Sequence, residues 1–217
     1  MKAVLIFKKN IARAENLFSV HRQTFKRGRP RNDWPSDILR ASLIFSTAAF
    51  DAYMHDKILE IMPVFLHKKK SKLSSKFISL LKEAGLTYEK LLTVTLKSES
   101  VKPITRLVKE YYSKRTIQDI NDIERVINIF GISDFWYKLA QAINRRRGRI
   151  KKLDKESVKD FVRPYMARRH QIVHEADLER EDKPRLIKIS FVKTGLRNIK
   201  LFTEKVEKIL EEKFSTN

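Results

Sequence analysis

Between Ala41 and Met54 the chain reads ASLIFSTAAFDAYM, apolar almost all round a helical wheel rather than along one stripe. A helix of that kind cannot lie on a surface; it must be enclosed by other elements. The run sits inside a longer predicted helix, from an N-cap at Ser36 to about Met62. Only five glycines and six prolines punctuate the 217 residues, so other long stretches also lack turn signals. Apolar spacing predicts helices over 2–25, 73–84, 87–96, 101–113, 117–130, 133–148, 156–176 and 190–214, with Gly85 and Gly131 as stops. LIKIS, residues 186–190, is the single short strand candidate. The expected fold class is all-α, one domain over 1–217. Within it, 1–35 holds a helix and a basic loop, and 63–153 is an inserted helical region with basic patches.

Charge narrows the function. Lys and Arg number 47 against 26 Asp and Glu, a net charge of +21. A surplus that large covers much of the surface and attracts polyanions, nucleic-acid backbone foremost. HKKKSK at 67–72 and RRRGRIKK at 145–152 are the densest basic runs, and Arg145, Arg146, Arg147 and Arg149 are the candidate RNA-binding residues there. With no cysteine, disulfides, thiolate metal sites and a cysteine nucleophile are excluded. The five-residue apolar run near the N-terminus is too short for a signal-peptide core, and no span is long enough for a bilayer. A cytoplasmic protein with no membrane partner is the expectation.

Two of the five histidines fall in MARRHQIVHEAD, residues 166–177. On one helix over 156–176, at 100° per residue, Val158, Val162, Tyr165, Met166 and Val173 form an apolar face. Arg169 lies in the middle of it. His170 and His174 stand side by side on one flank, and Arg168 lies on the other. A guanidinium in an apolar stripe needs a partner, because an unpaired buried charge is costly. The complementary anomaly is Asp51 in the all-apolar helix. An Arg169–Asp51 pair is therefore expected, with His174 at its rim and His55 one turn beyond Asp51. Such a pair reads equally as a structural clamp and as part of an active site.

Other chemistries fare less well. His170 and His174 have the i, i+4 spacing of zinc ligands but lack an evident third ligand. The chain has no Walker A loop and neither a G-x-G-x-x-G nor a G-x-S-x-G pattern. Asp51 and Asp56 are five residues apart and diverge on a helix, so they do not make a two-metal site. Tyr165 and Trp136 have faces on which bases stack, but core packing is the expected role for both.

RHQIVH, residues 169–174, resembles the Arg-x4-6-His signature of HEPN domains. ARRHQIVHEADL with the later KISFVKTGLRNI, and LRASLIFSTAAFDAYMHDKI at 39–58, are similar to the RiboL-PSP-type branch of that family. These strings cover roughly 36–62 and 155–210; the middle third carries no usable likeness. The resemblance implies a HEPN-like helical bundle, usually dimeric, acting on RNA without a metal or other cofactor, often as a toxin or in defence against phage. It implies Arg169 and His174 as the catalytic pair, His170 as the polar residue beside them, and Asp51 as an acidic position facing them, with His55 and Arg168 in supporting and RNA-binding roles. Partners would be RNA, a second copy of the chain, and an antitoxin or defence-complex component. The alternatives are a non-catalytic RNA-binding module and a subunit active only on a trigger.

Overall fold

A computed structural model describes residues 2–25, 34–68, 74–87, 101–145, 152–179 and 183–214. The helices are α1 (Lys2–Thr24), α2 (Trp34–Lys68), α3 (Ser75–Glu83), α4 (Val101–Tyr112), α5 (Ile120–Ile129), α6 (Phe135–Asn144), α7 (Lys155–Lys159), α8 (Arg163–His174) and α9 (Ile189–Phe214). The described residues contain no strand, only an isolated bridge between Leu178 and Pro184. The all-α expectation holds. The LIKIS segment is irregular up to Lys188, and α9 begins at Ile189.

As its sequence demands, α2 is the central element, touching α1, α4, α8 and α9. Leu43, Phe50, Tyr53 and Met62 are fully enclosed. Its buried hydroxyls are satisfied at home or next door. Ser46 Oγ donates to Leu43 O (2.7 Å), and Ser42 Oγ donates to Ala14 O of α1 (2.8 Å). That meeting of small residues lets the two backbones approach, while Phe7, Ile11 and Phe18 complete the buried stripe of α1. On the far side Phe202 of α9 packs edge-on against Phe50 (5.2 Å between centroids).

Several predicted boundaries move for identifiable reasons. α2 begins at Trp34, so Ser36 is inside its first turn rather than its N-cap. The helix also runs through Pro63 to Lys68. Buried Phe65 and Leu66 lie beyond that proline, and their packing outweighs the lost backbone hydrogen bond. Gly85 and Gly131 do stop α3 and α5, both in the left-handed region (φ 87° and 73°). Asp134, not Ser133, precedes α6, and it makes no side-chain cap bond. α6 ends at Asn144, with Arg145 at its C-cap. The helix predicted over 156–176 is two helices. Pro164 stands in the first turn of α8, where its missing N–H costs nothing, and the short α7 is capped separately by Asp154, which accepts from Ser157 N (2.8 Å). The 87–96 helix falls almost wholly outside the described residues, as do most of the basic run at 67–72 and the loop at 26–33.

Candidate active site

α8 carries the motif. Tyr165 and Met166 are its buried residues and anchor it. The Tyr165 ring packs on Phe191 (4.9 Å) and lies over Gly195 of α9, where a Cβ would come within 2.8 Å of the ring. The glycine in KTGLRN is thus a seat for Tyr165. Asn198 of α9 donates to Phe161 O (3.2 Å), closing the same contact from the other end. Tyr165 and Trp136 are both core residues.

One turn beyond Tyr165, Arg169 is half-buried, with no hydrogen bond or ion pair among the described residues. His170 and His174 are exposed, their ring centroids 4.5 Å apart. The structure therefore brings Arg169, His170 and His174 onto one short helix, with His174 its last residue.

The Arg169–Asp51 pair does not form. Asp51 Oδ1 accepts the backbone N–H of Ile117 (2.6 Å), so it is already engaged by the segment leading into α5. His55 Nε2 stands 3.6 Å from the same oxygen, and its ring meets Tyr112 edge-on (6.1 Å). Asp51 and His55 thus act on the 112–117 stretch. That stretch in turn borders the motif helix: Thr116 and Gln118 share a cavity with Met166 and His170.

The buried ion pair of this region lies elsewhere. Asp177 is 1% exposed, and its Oδ2 accepts from Arg40 Nε of α2 (2.5 Å) and Arg168 Nη2 of α8 (2.9 Å). Arg40 and Arg168 also donate to Arg185 O (2.7 and 3.2 Å). Burial lowers the Arg168 pKa, opposed by Asp177 and reinforced by Arg40 and Arg185. Arg168 is consequently a tether and not the free RNA-binding cation expected from sequence. Ala176 and Asp177 both have left-handed backbone (φ 51° and 58°), which for a non-glycine residue costs about 1–2 kcal/mol. The two arginines hold that turn, and the turn fixes the chain just after His174. Sequence reasoning missed Arg40 and Asp177. The available signal was an arginine at the start of the most apolar helix, which needs an anion as much as Arg169 does.

Of the basic patch, Arg145 is exposed and shares a groove with Lys138, Lys208 and Lys213 between α6 and the end of α9. Arg146, Arg147 and Arg149 lie outside the described residues. Among the described residues no three His, Cys, Asp or Glu side chains are grouped to hold a metal ion, and no helix is long and apolar enough to cross a membrane.

Comparison with known families gives a match to the family described as RiboL-PSP-HEPN over residues 9–212, a range that includes the middle third. No curated protein matches the chain, and no solved structure does.

Proposed function

The chain belongs to the RiboL-PSP-HEPN family, and on that footing we propose that it is a metal-independent endoribonuclease with Arg169 and His174 as its catalytic pair. The observation that carries this reading is the motif's geometry. Arg169 is half-buried without a partner among the described residues, one turn before an exposed histidine that ends the helix. A guanidinium so held has its donors available for a phosphate.

RNA brings its own nucleophile. A histidine removes the 2′-OH proton and the 2′-oxygen attacks the adjacent phosphorus. A second acid protonates the departing 5′-oxygen, leaving a 2′,3′-cyclic phosphate and a 5′-OH. Arg169 stabilises the charge that grows on the phosphoryl oxygens. One His174 does not serve as base and acid in a single step, so a two-fold dimer that joins both motifs supplies the second. Supporting the dimer, Val173 on α8 and Leu186 and Ile189 on the segment returning from it are exposed apolar residues beside the motif. His170 packs against His174 as its polar neighbour. Asp51 and His55 work at one remove, by holding the 112–117 stretch. Arg145 and its unplaced neighbours Arg146, Arg147 and Arg149 hold RNA backbone. The setting is cytoplasmic, as a toxin or anti-phage effector restrained or triggered by a partner.

The chemistry is checked by mapping product ends. 2′,3′-cyclic phosphate and 5′-OH ends are expected, and a DNA strand of the same sequence should be bound but uncut, for want of the 2′-OH. Products with 3′-OH ends would exclude the mechanism.

A further inference from the structure

A cavity of about 400 Å³ opens between α8 and the segment leading into α5, with His170 on its wall and Met166 in its lining. Its size suits a small ring system, within the roughly 300–1,000 Å³ usual for ligand sites. Its chemistry is at odds with the rest of this +21 chain, because Asp119, Asp122 and Glu175 all line it. A phosphate would be repelled there.

Most of the charged lining is already occupied. Asp119 Oδ1 caps α5 by accepting from Asn121 N (2.7 Å). Glu175 pairs with Arg185 (2.8 Å), and Arg163 pairs with Asp160 (2.5 Å). Two acceptors are left over. Asp122 is half-buried with no hydrogen bond or ion pair among the described residues. Gln118 Oε1 is buried with no hydrogen-bond donor among them. A buried acceptor without a donor is unfavourable by about 1–3 kcal/mol, so the cavity is incomplete as it stands. What it lacks is a flat ligand presenting neighbouring N–H donors.

We infer that this cavity binds the guanine base of the RNA strand being cleaved, through the base's Watson–Crick edge. Guanine alone among the four bases places two adjacent donors, N1–H and N2–H2, on that edge. Asp122 accepts from them as a carboxylate, and Gln118 Oε1 receives the remaining N–H. Uracil and cytosine offer one donor position on that edge, and adenine offers one beside an acceptor that would face the carboxylate. His170 joins the two sites: it lines the cavity, and its ring is 4.5 Å from that of His174. A guanine held here therefore lies one side chain away from the proposed reacting centre. The assignment to the cleaved strand rests on the ribonuclease reading; recognition of the base does not.

Binding of the four nucleoside 3′-monophosphates to the full chain, measured by calorimetry, tests the site without cleavage. Guanosine 3′-monophosphate should bind roughly tenfold or more tightly than the other three, the discrimination expected of a paired hydrogen-bond contact. Asp122→Asn and Gln118→Leu should each remove most of that preference, and circular dichroism identifies which variants are folded. Equal binding of all four, or a preference that survives in both folded variants, overturns the proposal. Cut-site mapping on a mixed-sequence RNA separates it from the underlying reading. Cuts that track guanosine support both. Cuts without nucleotide preference leave the nuclease standing and remove the pocket. A guanine preference in binding with no RNA cleavage keeps the pocket and removes the nuclease, making a free guanine nucleotide its ligand.

Discussion

At the scale of single residues, Asp177 carries the most weight for its size. It accepts from two arginines of two different helices while its own backbone is left-handed. Asp177→Asn keeps the shape and removes the charge, leaving Arg40 and Arg168 buried without their counter-ion. The expected loss is about 3 kcal/mol of unfolding free energy by urea denaturation, in the range for breaking a buried pair. A loss below about 0.5 kcal/mol, as for an ordinary surface substitution, would show the tether to be incidental. Residue-level reading of the sequence was half right about this region. It recognised that arginine and aspartate in apolar surroundings must pair, but joined the wrong two. Asp51 looked buried because its helix is apolar all round, yet its carboxylate is taken by the Ile117 N–H. Asp177 looked ordinary because it follows the helix, and helical periodicity says nothing about a turn.

Elements whose character lies in their own periodicity were legible, and those decided by long-range contact were not. α1, α3, α4 and α9 sit within a residue or two of the predicted spans, because each shows a repeating apolar face. The central place of α2 follows from having no polar face. The break before α8 was readable from Pro164 alone. What periodicity cannot supply is where two helices touch. Gly195 reads as a flaw in an amphipathic helix until Tyr165 is seen lying on it. Gly195→Ala gains helix propensity but drives a methyl group into that ring. The expected net effect is a loss of about 1–3 kcal/mol, with RNA cleavage falling because α8 shifts. Pairing it with Tyr165→Leu should recover part of the stability in a double-mutant cycle. A Gly195→Ala protein more stable than the wild type would refute the seat.

For the whole molecule, polar groups in the core tie the N-terminal and C-terminal helices to α2. Lys57 donates to both Glu60 (3.0 Å) and Glu207 (2.9 Å), Tyr53 Oη donates to Glu207 (2.7 Å), and Glu60 accepts the Ala3 N–H of α1 (3.0 Å). Burial pushes the Glu60 pKa up, but the Ala3 N–H and Lys57 outweigh it and hold the carboxyl at about 2, against an ordinary 4.5. Because the folded value is the lower, this group's contribution is complete above pH 4.5 and is lost as pH falls towards 2. Glu60→Gln should lower the melting temperature at neutral pH and flatten the acid limb of the stability curve across that window. An unchanged acid limb would mean the network does not couple to folding.

The account's central claim is that the α8 motif cleaves RNA without a metal. The direct measurement is incubation of the purified chain with structured and unstructured RNA in excess EDTA, beside His174→Ala and Arg169→Ala, each variant matched for fold and for RNA affinity at the same salt. Cleavage by the wild type and none by either variant is the expected result. Cleavage that EDTA abolishes, or that survives in His174→Ala, would contradict the claim. An intact wild type that binds RNA and leaves it whole would make MARRHQIVHEAD part of a binding or partner-triggered protein instead.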